Sequence, residues 1–130
     1  MLVIRKQQLQ EFIAGNAGEF AEVVRTAIRK SNEERVKAYD DKELDAMLSI
    51  GIARAKSHGL TGAEDIAAFV AVMFEIAPRF DEQTEIREVL QDANFKPDER
   101  LYQLFTRVPD AAWVEASKKY DDSFWFPAKG

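Results

Sequence analysis

Residues 40–78 read DDKELDAMLSIGIARAKSHGLTGAEDIAAFVAVMFEIAP, and this stretch decides the fold. It opens on Asp40, a side chain suited to accept from the free amides of a first helical turn. Glu43, three residues on, completes a capping box. Leu44, Met47, Leu48, Ile52 and Ala55 then recur at the period that gathers one face of a helix. His58-Gly59 closes that helix, because glycine tolerates the left-handed backbone found just past many helix ends. Thr61-Gly62-Ala63-Glu64 repeats the capping-box pattern. Ile66, Phe69, Val70, Met73, Phe74 and Ala77 make the strongest apolar stripe in the chain, and Pro78 stops it. The stretch predicts a helix–turn–helix hairpin.

Working outward, the punctuation stays helical. Residues 5–14 predict a helix with Leu9, Phe12 and Ile13 on one side. Gly15-Asn16-Ala17-Gly18 either breaks it or kinks a longer helix running on to Lys30, and Phe20, Val23, Val24, Ala27 and Ile28 carry the stripe onward. Downstream, residues 84–94 place Ile86, Val89, Leu90 and Ala93 on one face. Pro97 suits the first turn of another helix, where its missing amide hydrogen costs nothing. Leu101, Leu104, Phe105 and Val108 follow at helical spacing. Pro109-Asp110 starts a last helix bearing Trp113, Val114 and Tyr120. Only Leu2-Val3-Ile4 and Phe124-Trp125-Phe126 look extended. The expectation is one all-α domain over residues 1–130, a compact bundle of five or six helices of ten to eighteen residues around the hairpin.

Composition narrows the class. The chain has 130 residues, 46% of them hydrophobic and nine of them Phe, which is enough apolar side chain for a real core. The net charge is −5, unevenly spread: seven Lys/Arg face five Asp/Glu up to Lys37, and eleven face eighteen beyond it. An acidic chain is a poor general ligand for nucleic acid, whose phosphates demand a basic face. The hairpin's second helix also opens on Gly62-Ala63-Glu64-Asp65, acidic where a DNA-recognition helix needs donors. With no Cys, disulfides and thiolate zinc sites are excluded, in keeping with a reducing compartment. The first eight residues lack a signal peptide's apolar core. The longest apolar-rich run, residues 66–77, is too short for a bilayer and contains Glu75. The sequence therefore predicts a cytoplasmic protein with neither membrane nor nucleic acid as partner.

No pattern of catalysis stands out. His58 is the one histidine, and beside Gly59 its expected role is at the helix C-terminus, where a positive charge favours the dipole. The acidic groups Asp40/Asp41, Asp121/Asp122 and Asp92, Asp98, Glu99 do not alternate ligands around a glycine as a calcium loop does. Ser31, Ser49, Ser57, Ser117 and Ser123 lack a nucleophile elbow, and no glycine-rich phosphate loop exists. Paired carboxylates, the basis of a small carboxylate-dependent hydrolase, occur in every acidic helical protein. The expectation is a non-enzyme without cofactor or metal. Two features suit a protein partner. Phe124, Trp125 and Phe126 are either an exposed hot-spot anchor or a lid folded onto the core, and the second is favoured because exposed rings invite aggregation. Glu82, Glu85, Glu88 and Asp92 cluster around one helix, which is either simply a solvated face, the favoured reading, or an acidic surface fit to meet a basic toxin or nuclease.

Two stretches carry a family resemblance. The opening Val3-Ile4-Arg5-Lys6-Gln7-Gln8 and residues 51–61, continued by Asp65-Ile66 and residues 72–81, resemble a group of small, largely uncharacterised bacterial proteins. Those are encoded beside spike, tip or effector genes of type VI secretion systems. The resemblance rests on helix caps and core positions, fades beyond Asp81, and carries no catalytic residues. It implies a small helper that binds another protein: an adaptor or chaperone for a secreted effector or spike component, or the immunity protein that protects the producer. A structural subunit of a larger assembly is the other binding role open to such a chain.

Overall fold

The computed structural model describes residues 20–125, and all its regular elements are helical. Seven α-helices occur among these residues: α1 (Phe20–Ser31), α2 (Glu33–Val36), α3 (Asp41–Ser57), α4 (Ala63–Glu75), α5 (Thr84–Leu90), α6 (Arg100–Arg107) and α7 (Asp110–Ser117). Single 3₁₀ turns at Phe80–Glu82, Pro97–Glu99 and Asp122–Phe124 supply the corners. The fold is all-α, as the periodicity predicts. The expected helix over residues 5–14, the break at Gly15-Asn16-Ala17-Gly18, the extended Leu2-Val3-Ile4, the side chain of Phe20 and Phe126 all lie outside the described residues.

The hairpin α3–α4 forms as its first cap dictates. Asp40 Oδ1 accepts from the Glu43 amide at 2.7 Å, and the Asp40 amide donates to Glu43 Oε1 at 3.1 Å. Gly59, at φ +85°, turns the chain out of α3. The second capping box does not form. Gly62 takes the N-cap position of α4 without a side-chain hydrogen bond, and Thr61 is left exposed one residue outside the helix.

Helix α4 is the axis of the bundle. Ile66, Ala67 and all six residues from Phe69 to Phe74 are buried, so it is covered on every side and not along one stripe. Helices α1, α3 and α6 pack around it. Gly51 sets the closeness of α3: a Cβ there would stand 3.1 Å from Val70 Cγ2 and 3.3 Å from Met73 Sδ. On α1, Val23, Val24 and Ile28 face inward, while Arg25 and Arg29 on the rim bind Asp45 and Asp41 of α3. Arg35 closes the far end of α4. Its Nη1 donates to the carbonyls of Phe74 (2.6 Å) and Glu75 (3.0 Å), and its guanidinium lies 4.1 Å from the centre of the Tyr120 ring.

The C-terminal half departs from expectation in its detail. Its helices have only seven or eight residues each, because Pro97 and Pro109 interrupt the chain and 3₁₀ turns replace longer helices. α5 stops at Leu90, leaving Ala93 exposed beyond it. Val114 is 52% exposed on α7, where Ala112, Trp113 and Ala116 form the inner face instead, and Tyr120 lies past the helix end. Phe124 sits in a 3₁₀ turn, not a strand. A run of rings ties this half to the hairpin: Phe69–Phe80, Phe80–Trp113 and Trp113–Phe105 have centroids 4.9, 6.2 and 5.9 Å apart.

Candidate functional site

Arg54 and His58 stand four residues apart on α3 and so share a face. Both reach Asp81, which the 3₁₀ turn after Pro78 pushes into the protein until it is only 4% exposed. Arg54 binds it side-on, Nε to Oδ2 at 2.8 Å and Nη2 to Oδ1 at 2.7 Å, and the same Nη2 donates to Glu82 Oε2 at 2.9 Å. His58 Nε2 lies 2.7 Å from Asp81 Oδ2. An ionised carboxylate only accepts, so Nε2 is the nitrogen that carries the proton. Burial alone would raise the Asp81 carboxyl. The hydrogen bonds from His58 and Arg54 outweigh it and hold Asp81 below the ordinary carboxylate range. Burial likewise depresses Arg54, and the bonds to Asp81 and Glu82 reverse that and raise it.

Chemically this is a satisfied cluster. The carboxylate takes three hydrogen bonds from two partners, and its ion pair with Arg54 is of the buried kind that costs several kcal/mol to break by removing one member. The backbone of His58 does cap α3, its N–H pointing to the Ala55 and Lys56 carbonyls. Its imidazole, expected to serve the helix end, is turned to Asp81 and packs against Phe69 at 5.4 Å between centroids. Sequence reasoning missed Arg54 and Asp81. The partners are 27 residues apart, and the one local signal was the Arg54/His58 spacing.

The aromatic tail is largely consumed by the fold. Trp125 is 1% exposed and stacks on Phe74 of α4, centroids 4.7 Å apart and planes at 17°. It is therefore no exposed anchor for a partner, because its ring completes the core. Phe124 is half-buried, with the guanidinium carbons of Arg54 and Arg79 at 5.1 and 5.5 Å from its ring centre.

The four acidic candidates divide. Glu82 is exposed but paired with Arg54. Asp92 lies past the end of α5, half-buried, its Oδ1 accepting from the Asn94 amide at 2.8 Å. Glu85 and Glu88, three residues apart on α5, share one exposed edge, and Glu85 accepts from the Gln83 side chain. Among the described residues neither is in an ion pair, whereas Glu34, Asp41, Asp45, Asp81 and Glu82 all are. Also among the described residues, no three His, Asp or Glu side chains converge as metal ligands, and no helix is long and apolar enough to cross a membrane. In comparisons with family models, curated proteins and solved structures, nothing matches this chain.

Proposed function

We infer that this chain is a non-catalytic protein-binding helper of the bacterial cytoplasm, an adaptor or immunity protein for a secreted effector, which it meets through the acidic edge of α5. The observation that carries this reading is the pair Glu85 and Glu88, which stand together on one exposed edge of α5. Among the described residues they are in no ion pair, whereas Asp41, Asp45 and Glu82 are matched by arginines. His58 and Asp81 offer little to catalysis, because Asp81 spends its oxygens on Arg54 and His58, and His58 spends its Nε2 on Asp81. The setting beside secretion genes rests on the family resemblance of residues 3–8, 51–61, 65–66 and 72–81. Neither nucleic acid nor a membrane has a part in this function.

The test is co-purification with the proteins encoded beside its gene, in rising salt. A complex with one of them should weaken as ionic strength increases, since exposed charges are screened over about 10 Å at 0.1 M. The double variant Glu85→Lys/Glu88→Lys should lose the complex and keep its melting temperature. A complex indifferent to both changes would refute the α5 edge as the interface, and turnover of a substrate without any partner would refute the helper role.

A further inference from the structure

The C-terminal end of α3 borders a cleft that the interactions above leave unused. It spans about 500 Å³ between Ser57, His58, Gly59, Leu90, Gln91 and Arg100. In a chain of net charge −5, no carboxylate is among these lining residues. Arg100, the first residue of α6, reaches across and donates from Nη1 to the His58 carbonyl at 2.8 Å. Gly59 makes room for it: a Cβ at this position would stand 3.3 Å from Nη1. The rest of the guanidinium is unspent. Its Nε is shut off from solvent and meets no acceptor, and among the described residues no acid pairs with Arg100. A buried donor left without an acceptor is rare in folded proteins and points to a missing partner. Arginine's Nε–Nη2 edge is a two-pronged donor whose geometry matches carboxylate and phosphate oxygens.

We propose that this cleft binds a small oxyanion, a carboxylate or a phosphate, on the Nε–Nη2 edge of Arg100. Binding requires the guanidinium, whose Nε is enclosed as the structure stands, to turn that edge towards the cleft. Gln91, whose side-chain amide is a further donor, lines the same cleft, as do Leu90 and His58, the latter held by Asp81. The proposal is independent of the acidic edge on α5, which would repel the same ligand.

The experiment is a titration of the full chain with sodium phosphate and, separately, sodium acetate at constant ionic strength, followed by amide and arginine side-chain resonances. Saturable shifts at Gly59, Leu60, Gln91 and the Arg100 Nε–H are expected. Saturation by phosphate alone assigns the dianion, and saturation by acetate alone assigns a carboxylate. Arg100→Lys keeps the charge but removes the fork, and should weaken binding by about tenfold. Because Arg100 also caps α3, Gln91→Glu serves as the second variant: it places a negative charge on the cleft wall without touching the cap. It should weaken binding at least as much and leave the melting temperature unchanged. Shifts that rise without saturation and scatter over surface lysines, or a Gln91→Glu protein that titrates like its parent, would overturn the proposal.

Discussion

The hairpin α3–α4 and the C-terminal half that follows it are built on different terms. The hairpin has helices of 17 and 13 residues, one ideal cap and a core face that repeats over four turns. The C-terminal half has helices of seven and eight residues, each too short to be stable alone, which hold because Phe80 packs on Phe69 of the hairpin, Trp113 stacks on Phe80 in turn, and α6 packs on α4. One part carries its structure in local pattern, and the other borrows it from tertiary contact. Side-chain replacements should separate them cleanly.

The largest effect is expected in α4. Phe74→Ala removes a fully buried ring and strands Trp125, and should cost about 3–5 kcal/mol in urea unfolding. Phe105→Ala, at a half-buried position in the C-terminal half, should cost clearly less. Equal losses would mean that the two halves share one core without a centre.

Next comes the tie between the halves. Asp81→Asn strips the charge that Arg54 and His58 were arranged around and should cost about 3 kcal/mol at pH 7. Because the folded state holds Asp81 below its ordinary value, its contribution is fully present above about pH 4, where an unfolded Asp ionises, and is lost as pH falls towards the folded value. Acid unfolding of the parent should thus converge on that of the variant. A constant gap between the two curves down to pH 2 would exclude this account.

The caps give a finer contrast. Asp40→Ala should destabilise by about 1 kcal/mol, whereas Thr61→Ala, at the same place in a capping-box pattern but with no bond formed, should stay within about 0.5 kcal/mol. Matching losses in thermal melts would show that Thr61 caps after all.

The smallest effect is at the end of α4. Burial pushes the Glu75 carboxyl above its ordinary value, against the pull of Arg35, and one of its oxygens has no hydrogen-bond partner. A carboxyl raised in the folded state costs stability when ionised. Glu75→Gln should therefore raise the melting temperature at pH 7, and the gain should fade as pH drops through the folded value. A lower melting temperature at pH 7 would contradict this.

What the sequence let one read follows the same division. Asp40 and Glu43 declare a cap within four residues, and Leu44, Met47 and Leu48 declare a face within two turns. Thr61 misled because a capping-box pattern there serves a helix that starts one residue later, where Gly62 offers its carbonyl to Ile66. Ala93 and Val114 misled because periodicity cannot say where a short helix stops or which side its neighbours cover. The Arg54–Asp81–His58 cluster was invisible because its distance along the chain carries no local signature. Of the surface candidates, Glu85 and Glu88 stand together as read, while Glu82 and Trp125 proved to be engaged by the chain itself.

Trp125 has a consequence for the order of events at the ribosome. Its ring fills the slot over Phe74, fifty-one positions earlier in the chain, so the slot stands open in every nascent chain that has not yet extruded residue 125. Helices α1 to α4 can assemble before then, but with an apolar groove open to solvent. Newly made chains stalled short of this residue are the ones a holding chaperone should recognise.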